Sequence, residues 1–158
     1  MSFETVFDVT RAGFRAWWAF VPFVGVAAIG FVASAIGVGA VRRMGKLCAL
    51  AAILFAIIAE YGAYRDYCGL RLAVEQQRFT SVEGTVVDFV PGGSDGHPPE
   101  RFCVGGHCYS YSPAMISADF NRVSGRGGPI RAGQTVRIAD VGGRIARLEI
   151  ERGGTNRQ

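Results

Sequence analysis

Hydrophobic residues are concentrated in the N-terminal part of the chain, where they form two long runs separated by a short basic stretch. The first run, residues 17–41, contains no charged residue, and the second, residues 47–64, contains only Glu60. A helix of about 20 apolar residues crosses the hydrocarbon core of a bilayer. The pattern therefore predicts a transmembrane helical hairpin over residues 17–64, with one span in each run.

The connection between the two runs, Arg42 to Lys46, is short and predicts an antiparallel arrangement of the spans. Small side chains recur along both runs and would let the two helix backbones approach closely. Packing of the helices within one chain is the favoured interpretation, and a dimer motif between copies is the alternative. The small residues are Gly25, Ala28, Gly30, Ala33, Ser34, Gly37 and Gly39 in the first run and Ala49, Ala52, Ala56 and Ala59 in the second.

The charges near the runs bear on the orientation of the hairpin. The connection carries three basic residues and no acidic one, which favours a cytoplasmic connection with both chain termini outside. Five basic residues flank the other side of the runs and oppose this orientation: Arg11, Arg15, Arg65, Arg71 and Arg78. Glu60 is either an intramembrane proton or ion site or a marker of the interface, and the neighbouring Tyr61 favours the interface.

The segments that flank the two predicted folded parts have weaker patterns. Residues 1–16 mix apolar and charged side chains and predict a short amphipathic helix on the membrane interface, with a loosely ordered tail as the alternative. The late, long apolar run does not have the form of a cleavable signal peptide. Residues 65–79 predict either an extension of the second helix or a linker, and residues 153–158 predict a polar tail.

A two-residue period replaces the helical pattern at about Thr80, so residues 80–152 predict a small all-β antiparallel domain. Its first strand, residues 81–90, contains Gly84, which suggests a bulge or a sharp bend. Four or five short strands of this kind predict an OB-like or SH3-like barrel or roll. The alternative is an open sheet packed on residues 113–123, an irregular or short helical segment. The predicted anchors of that segment are Met115, Ile116 and Phe120.

The best-defined element of the β domain is a hairpin that turns at Gly105-Gly106, two residues that can adopt the positive φ angles of a tight turn. This turn places Cys103 opposite Cys108 at a non-hydrogen-bonded position, where the Cα atoms lie about 4.5 Å apart. A disulfide fits that separation, and we expect one if the compartment is oxidising. The same register pairs Val104 with His107, Phe102 with Tyr109 and Glu100 with Tyr111, and it places Phe102, Val104, His107, Tyr109 and Tyr111 on a core-like face.

Three other interpretations of Cys103 and Cys108 stay open at this point. They are a reduced structural pair, a redox-active dithiol and a zinc site completed by His97 and His107. Alternation along the strands places His107 on the opposite face from the cysteines, which argues against shared metal ligation. We therefore predict no metal site.

The C-terminal strands predict a second hairpin around Gly142 and Gly143. A two-residue turn there would mix apolar and charged side chains on one face, whereas a three-residue loop with a bulge pairs Ile138 with Leu148. A slip of one residue moves every side chain to the other face, so we predict the three-residue loop Gly142 to Arg144. The core face is then Val136, Ile138, Leu148 and Ile150.

The composition narrows the classes of function. A net charge of +4 suits a protein near anionic lipid and does not indicate nucleic-acid binding. His97 and His107 have no carboxylate or nucleophile partner by motif, and no serine lies in a nucleophile elbow. We therefore predict a protein that is not an enzyme, with no catalytic residue and no cofactor.

Two polar loops are the candidate binding surface. They are residues 91–100 and 121–129, and their candidate binding residues are His97, Asn121, Arg122 and Arg126. The Gly-rich stretch within the second loop, Ser124 to Pro129, could also form an anion-binding nest. A plain exposed loop is the favoured interpretation of that stretch.

Several short motifs follow one another along the β domain. They are Glu83-Gly-Thr-Val-Val-Asp-Phe-Val-Pro91, His97, Tyr109-Ser-Tyr-Ser112, Phe120-Asn121, Gly127-Gly-Pro-Ile130, Gly133-Gln-Thr-Val-Arg-Ile138 and Leu148-Glu-Ile150. This order resembles a group of uncharacterised bacterial proteins that join one or two N-terminal membrane spans to a small β domain. The resemblance covers about residues 80–151 and implies a fold but no activity. Cys103 and Cys108 depart from the pattern, which implies an optional brace. The architecture is also similar to membrane-anchored OB-domain proteins that act beside membrane scaffold proteins.

Together these patterns predict a multi-pass protein of the bacterial inner membrane with its β domain on the periplasmic side. Its expected partners are the lipid bilayer and an unidentified protein or envelope component, with self-association left open. Two alternatives differ in kind. One is a membrane-tethered thiol–disulfide protein that uses Cys103 and Cys108, and the other is a ligand-sensing effector whose hairpin oligomerises in the membrane.

Overall fold

The computed structural model describes residues 2–95 and 97–152. In chain order it contains β1 (Phe3–Asp8), α1 (Val9–Ala12), a 3-10 helix (Ala16–Phe20), α2 (Val21–Ile36), α3 (Ala40–Glu75), β2 (Thr80–Thr85), β3 (Val87–Val90), β4 (Glu100–Val104), β5 (His107–Tyr111), a 3-10 helix (Ser124–Arg126), β6 (Thr135–Asp140) and β7 (Ile145–Glu151). The contacts divide the chain into a helical unit, Phe14–Arg65, and a β unit that joins Met1–Gly13 to Asp66–Gln158. The predicted combination of a helical part with a small antiparallel β domain is confirmed at this level.

The break between the two long helices lies at Gly37–Gly39, upstream of the predicted connection. The backbone N–H of Gly37 caps α2 by donating to the carbonyl of Ala33, at 3.0 Å. Gly39 then adopts a φ of +57°, a conformation that glycine accepts at little cost. The predicted connection at Arg42–Lys46 is therefore wrong. The first helix ends at the glycines, because they accept the backbone conformations that interrupt a helix. The basic residues belong to the first turns of α3.

Two apolar helical stretches, Ala16–Ile36 and Ala40–Glu75, are long and apolar enough to cross a membrane by length and composition. Their bounds differ from the predicted spans 17–41 and 47–64 because of the glycine break. α3 continues without interruption to Glu75, so residues 65–75 extend the helix, which was one of the two expectations for that segment.

α2 and α3 approach each other most closely at small residues. A Cβ atom built on Gly30 would lie 2.8 Å from the backbone nitrogen of Ala49 and 2.8 Å from the carbonyl oxygen of Gly45. A Cβ on Gly45 would lie 2.7 Å from the carbonyl oxygen of Gly30. Ala49 is buried at this contact, and Ala52, three residues further along α3, is also buried. The predicted packing of small residues between the two helices is confirmed.

We expect Gly30→Ala to weaken this helix pair by about 1–3 kcal/mol, because the added methyl group forces two backbones apart. Gly25→Ala is the matched control, since its Cβ would meet no atom within 4 Å. That control should be neutral or stabilising by up to about 1 kcal/mol, because alanine favours helix over glycine. Thermal unfolding of the purified protein in detergent, followed by circular dichroism, measures both changes. Equal midpoints for the two variants would contradict the close approach.

The described part of the β unit contains seven strands in two antiparallel sheets. The first sheet has the order β1-β7-β6-β2, and the second has the order β3-β4-β5. β2 and β3 are two parts of the predicted first strand, and the chain passes from one sheet to the other at Val86. The Val86 N–H donates to the Gln134 carbonyl at 2.8 Å, and its carbonyl accepts from Gly133 at 3.0 Å. The bend expected at Gly84 is therefore at Val86, which is buried.

The N-terminal segment is a strand of the β unit. Residues 3–8 form β1, which pairs antiparallel with β7 from Phe3 opposite Glu151 to Asp8 opposite Arg147. Phe7 and Val9 are buried in the β unit. The predicted interfacial amphipathic helix over residues 1–16 is wrong for this stretch, because pairing with a distant strand offers its apolar side chains a core.

The predicted registers of both hairpins are confirmed. β4 and β5 pair Cys103 with Cys108 and Phe102 with Tyr109 around Gly105-Gly106. β6 and β7 pair Ile138 with Leu148 as expected. The second turn differs in detail, because Gly142 and Gly143 both have positive φ and form a two-residue turn. A register shift next to Asp140, which pairs with Ile145, then restores the predicted pairing.

The core of the β unit is close to the predicted faces, with four residues as exceptions. Phe102, Val104, Val136, Ile138 and Leu148 are almost fully buried. His107 lies exposed at the hairpin tip, and Ile150 is half-buried. The predicted anchors Met115 and Ile116 are wrong, since they are 58% and 52% exposed. Of the three predicted anchors only Phe120 is buried, with a ring contact to Phe7 and a backbone hydrogen bond to Ile145.

Candidate functional site

The two polar loops singled out from the sequence contact each other in the β unit. The Arg126 Nε donates to the Ser94 carbonyl oxygen at 2.6 Å. A Cβ atom on Gly125 would lie 2.8 Å from the carbonyl oxygen of Gly92, so the loop backbones touch there. Residues 91–95 with 97–99 and residues 121–129 therefore form one surface, which we call the paired-loop surface.

Glu100 lies directly beneath the paired-loop surface and holds its two halves together. Its side chain is fully buried at the start of β4. The Oε2 atom accepts the N–H of Gly92 at 3.2 Å and the N–H of Ser124 at 2.6 Å. The Oε1 atom accepts the Tyr111 hydroxyl at 2.5 Å. One carboxylate thus bonds both loops and the neighbouring strand, an arrangement that satisfies a group too costly to bury without partners.

The sequence-predicted binding residues occupy this surface in different ways. Arg122 and Arg126 are exposed, and so is His97, whose backbone N–H donates to Asp95 Oδ1 at 3.2 Å. Asn121 is half-buried, and its Nδ2 donates to the Met115 carbonyl at 3.4 Å. The structure therefore brings together the loops that carry all four residues. Asn121 and the Nε atom of Arg126 also make hydrogen bonds that hold these loops in place.

Burial shapes the acidity of the two tyrosines of β5, Tyr109 and Tyr111. Burial first, and then the hydrogen bond to Glu100, raises the pKa of the Tyr111 phenol above its usual value. Burial first, and then a 2.8 Å hydrogen bond to Asp140 Oδ2, raises the pKa of the Tyr109 phenol. Both phenols therefore stay protonated hydrogen-bond donors at any physiological pH. Their roles are structural, linking β5 to β4 and to the β6–β7 turn.

The cysteine pair forms the predicted disulfide. Cys103 and Cys108 are bonded across β4 and β5 with an S–S distance of 2.03 Å. Cys108 is exposed and Cys103 half-buried. A groove of about 380 Å³ lies beside the bond, with Asp88, Arg101 and Tyr109 among its lining residues. Within the described residues no cluster of His, Cys, Asp and Glu has the grouping of a metal site.

A second polar cluster joins Asp66, in the C-terminal part of α3, to the β6–β7 turn. The Arg144 guanidinium makes two parallel bonds to Asp66, Nη1 to Oδ1 at 2.6 Å and Nη2 to Oδ2 at 2.7 Å. Its Nη2 also lies 3.4 Å from Ser117 Oγ and 3.5 Å from Asp119 Oδ1. Burial raises the pKa of Asp119, and the positive charge of Arg144 opposes that rise. We call Asp66, Ser117, Asp119 and Arg144 the Arg144 cluster.

Sequence reasoning missed Glu100, Asp66 and Arg144. Glu100 carries one signal, since it falls in the predicted register opposite Tyr111 on the core-like face. Asp66 and Arg144 carry none, because 78 residues separate them. Comparison with known proteins adds no relative to this description: no family model matches the chain, and no curated protein or solved structure matches it.

Proposed function

We propose that this chain is a non-enzymatic membrane protein in which a helical hairpin anchors a β domain that binds a protein or envelope component at the membrane surface. The observation that carries the proposal is the pairing of β1 with β7. β1 precedes the two apolar helices and β7 follows them. The chain segments on both sides of the helical unit therefore belong to one β domain, and the helices are an insertion in the chain of that domain.

This topology restricts how the helices can meet a bilayer. Strands that pair through their backbones must lie in the same compartment, because the hydrocarbon core offers no place for open strand edges. Two membrane crossings would return the chain to the side from which it started, whereas a single crossing would leave β1 and β7 on opposite sides of the membrane. In the apolar windows of the two helical stretches, only 11% of the residues are buried. That exposure favours helices that face lipid over helices in the core of a soluble domain.

The basic residues of α3 support an orientation. Arg42, Arg43 and Lys46 lie in its first turns, which contain no acidic residue. Cations are unfavourable at a helix N-terminus, because the helix dipole is positive there. Their position is instead the one expected for a cytoplasmic connection. The β domain would then lie outside the cytoplasm of a bacterial inner membrane, where the Cys103–Cys108 disulfide is stable.

The β domain on this proposal is a small barrel or roll of OB-like or SH3-like type. The bend at Val86 supports this proposal, because it lets one continuous stretch of chain contribute β2 to the first sheet and β3 to the second. The paired-loop surface is the proposed binding surface, with His97, Arg122 and Arg126 exposed on it. Loops held on a rigid scaffold are a common place for recognition, and Glu100 supplies the rigidity here.

Labelling of cysteines in spheroplasts with a membrane-impermeant maleimide tests the proposal. In a Cys48→Ser/Cys68→Ser background, Cys103 and Cys108 should react only after reduction, without lysis. A separate Val38→Cys variant, in the connection between the helices, should react only after lysis. The reverse pattern would keep the hairpin but invert its orientation. Labelling of all three positions from the same side would overturn the membrane hairpin.

A second candidate function is favoured by the exposure of Cys108 beside a groove. On this proposal the protein is a membrane-tethered thiol–disulfide protein that uses Cys103 and Cys108. Its reduction potential, measured by equilibration with glutathione buffers, should be above about −300 mV, because structural disulfides lie below that value. A lower potential would leave the disulfide as a brace and exclude this candidate.

A further inference from the structure

A groove lies between α2 and α3, entirely within the helical unit. Its volume is about 260 Å³, and most of its lining is apolar. Phe31 and Leu50 are 66% and 65% exposed beside it, although large apolar side chains are unfavourable in water. Lys46 is the charged member of the lining, whose other residues are Phe31, Ser34, Ala49, Leu50 and Ile53. The groove therefore combines an apolar lining with a cation at the end nearest the start of α3.

Two arginines extend the positive charge from Lys46 toward the start of α3. Arg42 and Arg43 precede Lys46 by four and three residues, and side chains at these spacings are neighbours on a helix surface. All three side chains are exposed. We call Arg42, Arg43 and Lys46 the basic cluster of the groove.

The helical unit does not neutralise the basic cluster. Glu60 is the one acidic residue of the sequence from 14 to 65, and it lies 14 residues beyond Lys46. That separation is about 21 Å along the helix axis. None of the ion pairs between described residues involves the basic cluster. A negative charge from outside the unit would therefore stabilise these three cations.

We propose that this groove binds an anionic phospholipid. Its acyl chain lies against Phe31, Leu50 and Ile53, and its headgroup phosphate accepts charge-assisted hydrogen bonds from the basic cluster. This inference rests on the proposed membrane anchoring and adds a specific lipid as a ligand of the helical unit. A phospholipid fits because it carries an acyl chain and a phosphate in one molecule. A second copy of the unit fits less well, because its five basic residues and one acidic residue would bring mainly positive charge.

A second groove between α2 and α3 provides an internal comparison. It has a volume of about 450 Å³, and Met44 and Cys48 are among its lining residues. No residue of that lining is charged. An acyl chain can occupy this groove as well, but we expect it to have no preference for a headgroup.

Native mass spectrometry of the full chain in detergent tests the lipid site. The protein is equilibrated with equal amounts of phosphatidylglycerol and phosphatidylcholine that have the same acyl chains. We expect phosphatidylglycerol to predominate among the bound lipids. Lys46→Gln should lower the ratio of bound phosphatidylglycerol to phosphatidylcholine about fivefold, which corresponds to about 1 kcal/mol for one basic residue near an anionic lipid. Arg65→Gln removes an exposed cation beyond the far end of the apolar stretch, and this matched control should leave the ratio unchanged.

Two tryptophan substitutions test where the acyl chain lies. Leu50→Trp fills the proposed groove without a change of charge and should reduce bound phosphatidylglycerol as much as Lys46→Gln does. Met44→Trp fills the second groove and should keep the wild-type ratio. Both positions are exposed, at 65% and 59%, so the added volume does not enter a packed core. Equal ratios in Lys46→Gln and Arg65→Gln, or in Leu50→Trp and Met44→Trp, would overturn the site.

Alkaline washing of vesicles that contain the protein separates the lipid site from the anchoring. Retention of the wild type in washed vesicles, together with equal binding of the two lipids, would overturn the lipid site and leave the anchoring intact. Release of the wild type into the wash would overturn both proposals. A lipid-free dimer that Leu50→Trp converts to a monomer would show that a second copy occupies the groove, and it would also overturn the lipid site.

Discussion

Glu100→Ala should destabilise the β unit by about 3 kcal/mol or more, because three donors, two of them in buried hydrogen bonds, lose their acceptor at once. These donors are the N–H groups of Gly92 and Ser124 and the hydroxyl of Tyr111. Such a loss is a large share of the stability of a small domain, which is about 5–15 kcal/mol. Urea unfolding in detergent, followed by the nuclear magnetic resonance signals of residues in β4 and β5, measures the loss within the β unit.

Two further variants make this expectation specific. Glu83→Ala removes an exposed carboxylate that pairs with Arg137 at 2.8 Å, and a surface pair contributes about 1 kcal/mol at most. Glu100→Gln should fall between the alanine variant and the wild type, since one amide oxygen remains to accept. Amide hydrogen exchange at Gly92 and Ser124 should accelerate in both Glu100 variants. An unchanged midpoint and unchanged exchange in Glu100→Ala would contradict the organising role of Glu100.

Phe7→Ala should cost the β unit about 3–5 kcal/mol, the range for removing a buried aromatic side chain. Phe7 is 7% exposed. Its ring meets that of Phe120 edge-on at 5.6 Å between centroids. The adjacent residue Val6 is 40% exposed and provides the matched control, Val6→Ala. The same urea titration should show a clear loss for Phe7→Ala and a change within about 0.5 kcal/mol for the control.

This comparison also bears on the membrane topology. If Phe7→Ala and Val6→Ala behave alike, β1 is not an integral strand of the β unit, and the argument for an even number of crossings loses its basis.

Asp8 offers an independent check on the same strand. Burial alone would raise the pKa of Asp8, but hydrogen bonds from Thr10 and the charge of Arg147 outweigh it and lower that pKa. The stabilisation by Asp8 is therefore present above its unfolded pKa and is lost as the pH falls through the folded value.

Features with local causes follow from the amino-acid sequence alone. The Gly105-Gly106 turn sets the register of β4 and β5, and that register places Cys103 beside Cys108. Alternating side chains likewise determined the pairing of Ile138 with Leu148, even though the turn at Gly142 is shorter than predicted. The small residues Gly30 and Ala49 predicted the close contact between the two helices, because helix backbones approach closely only where the residues between them are small.

Features that join distant parts of the chain depend on the folded structure. β1 is a strand because β7 offers it a ladder and Phe120 a core contact. Glu100 is buried because two loops and Tyr111 supply its hydrogen bonds. Arg144 meets Asp66 across 78 residues of sequence. The physical reason is the same in each case. A turn or a periodic pattern is set by neighbouring residues, whereas the free energy of burying a strand or a charge depends on partners that only the folded chain brings together.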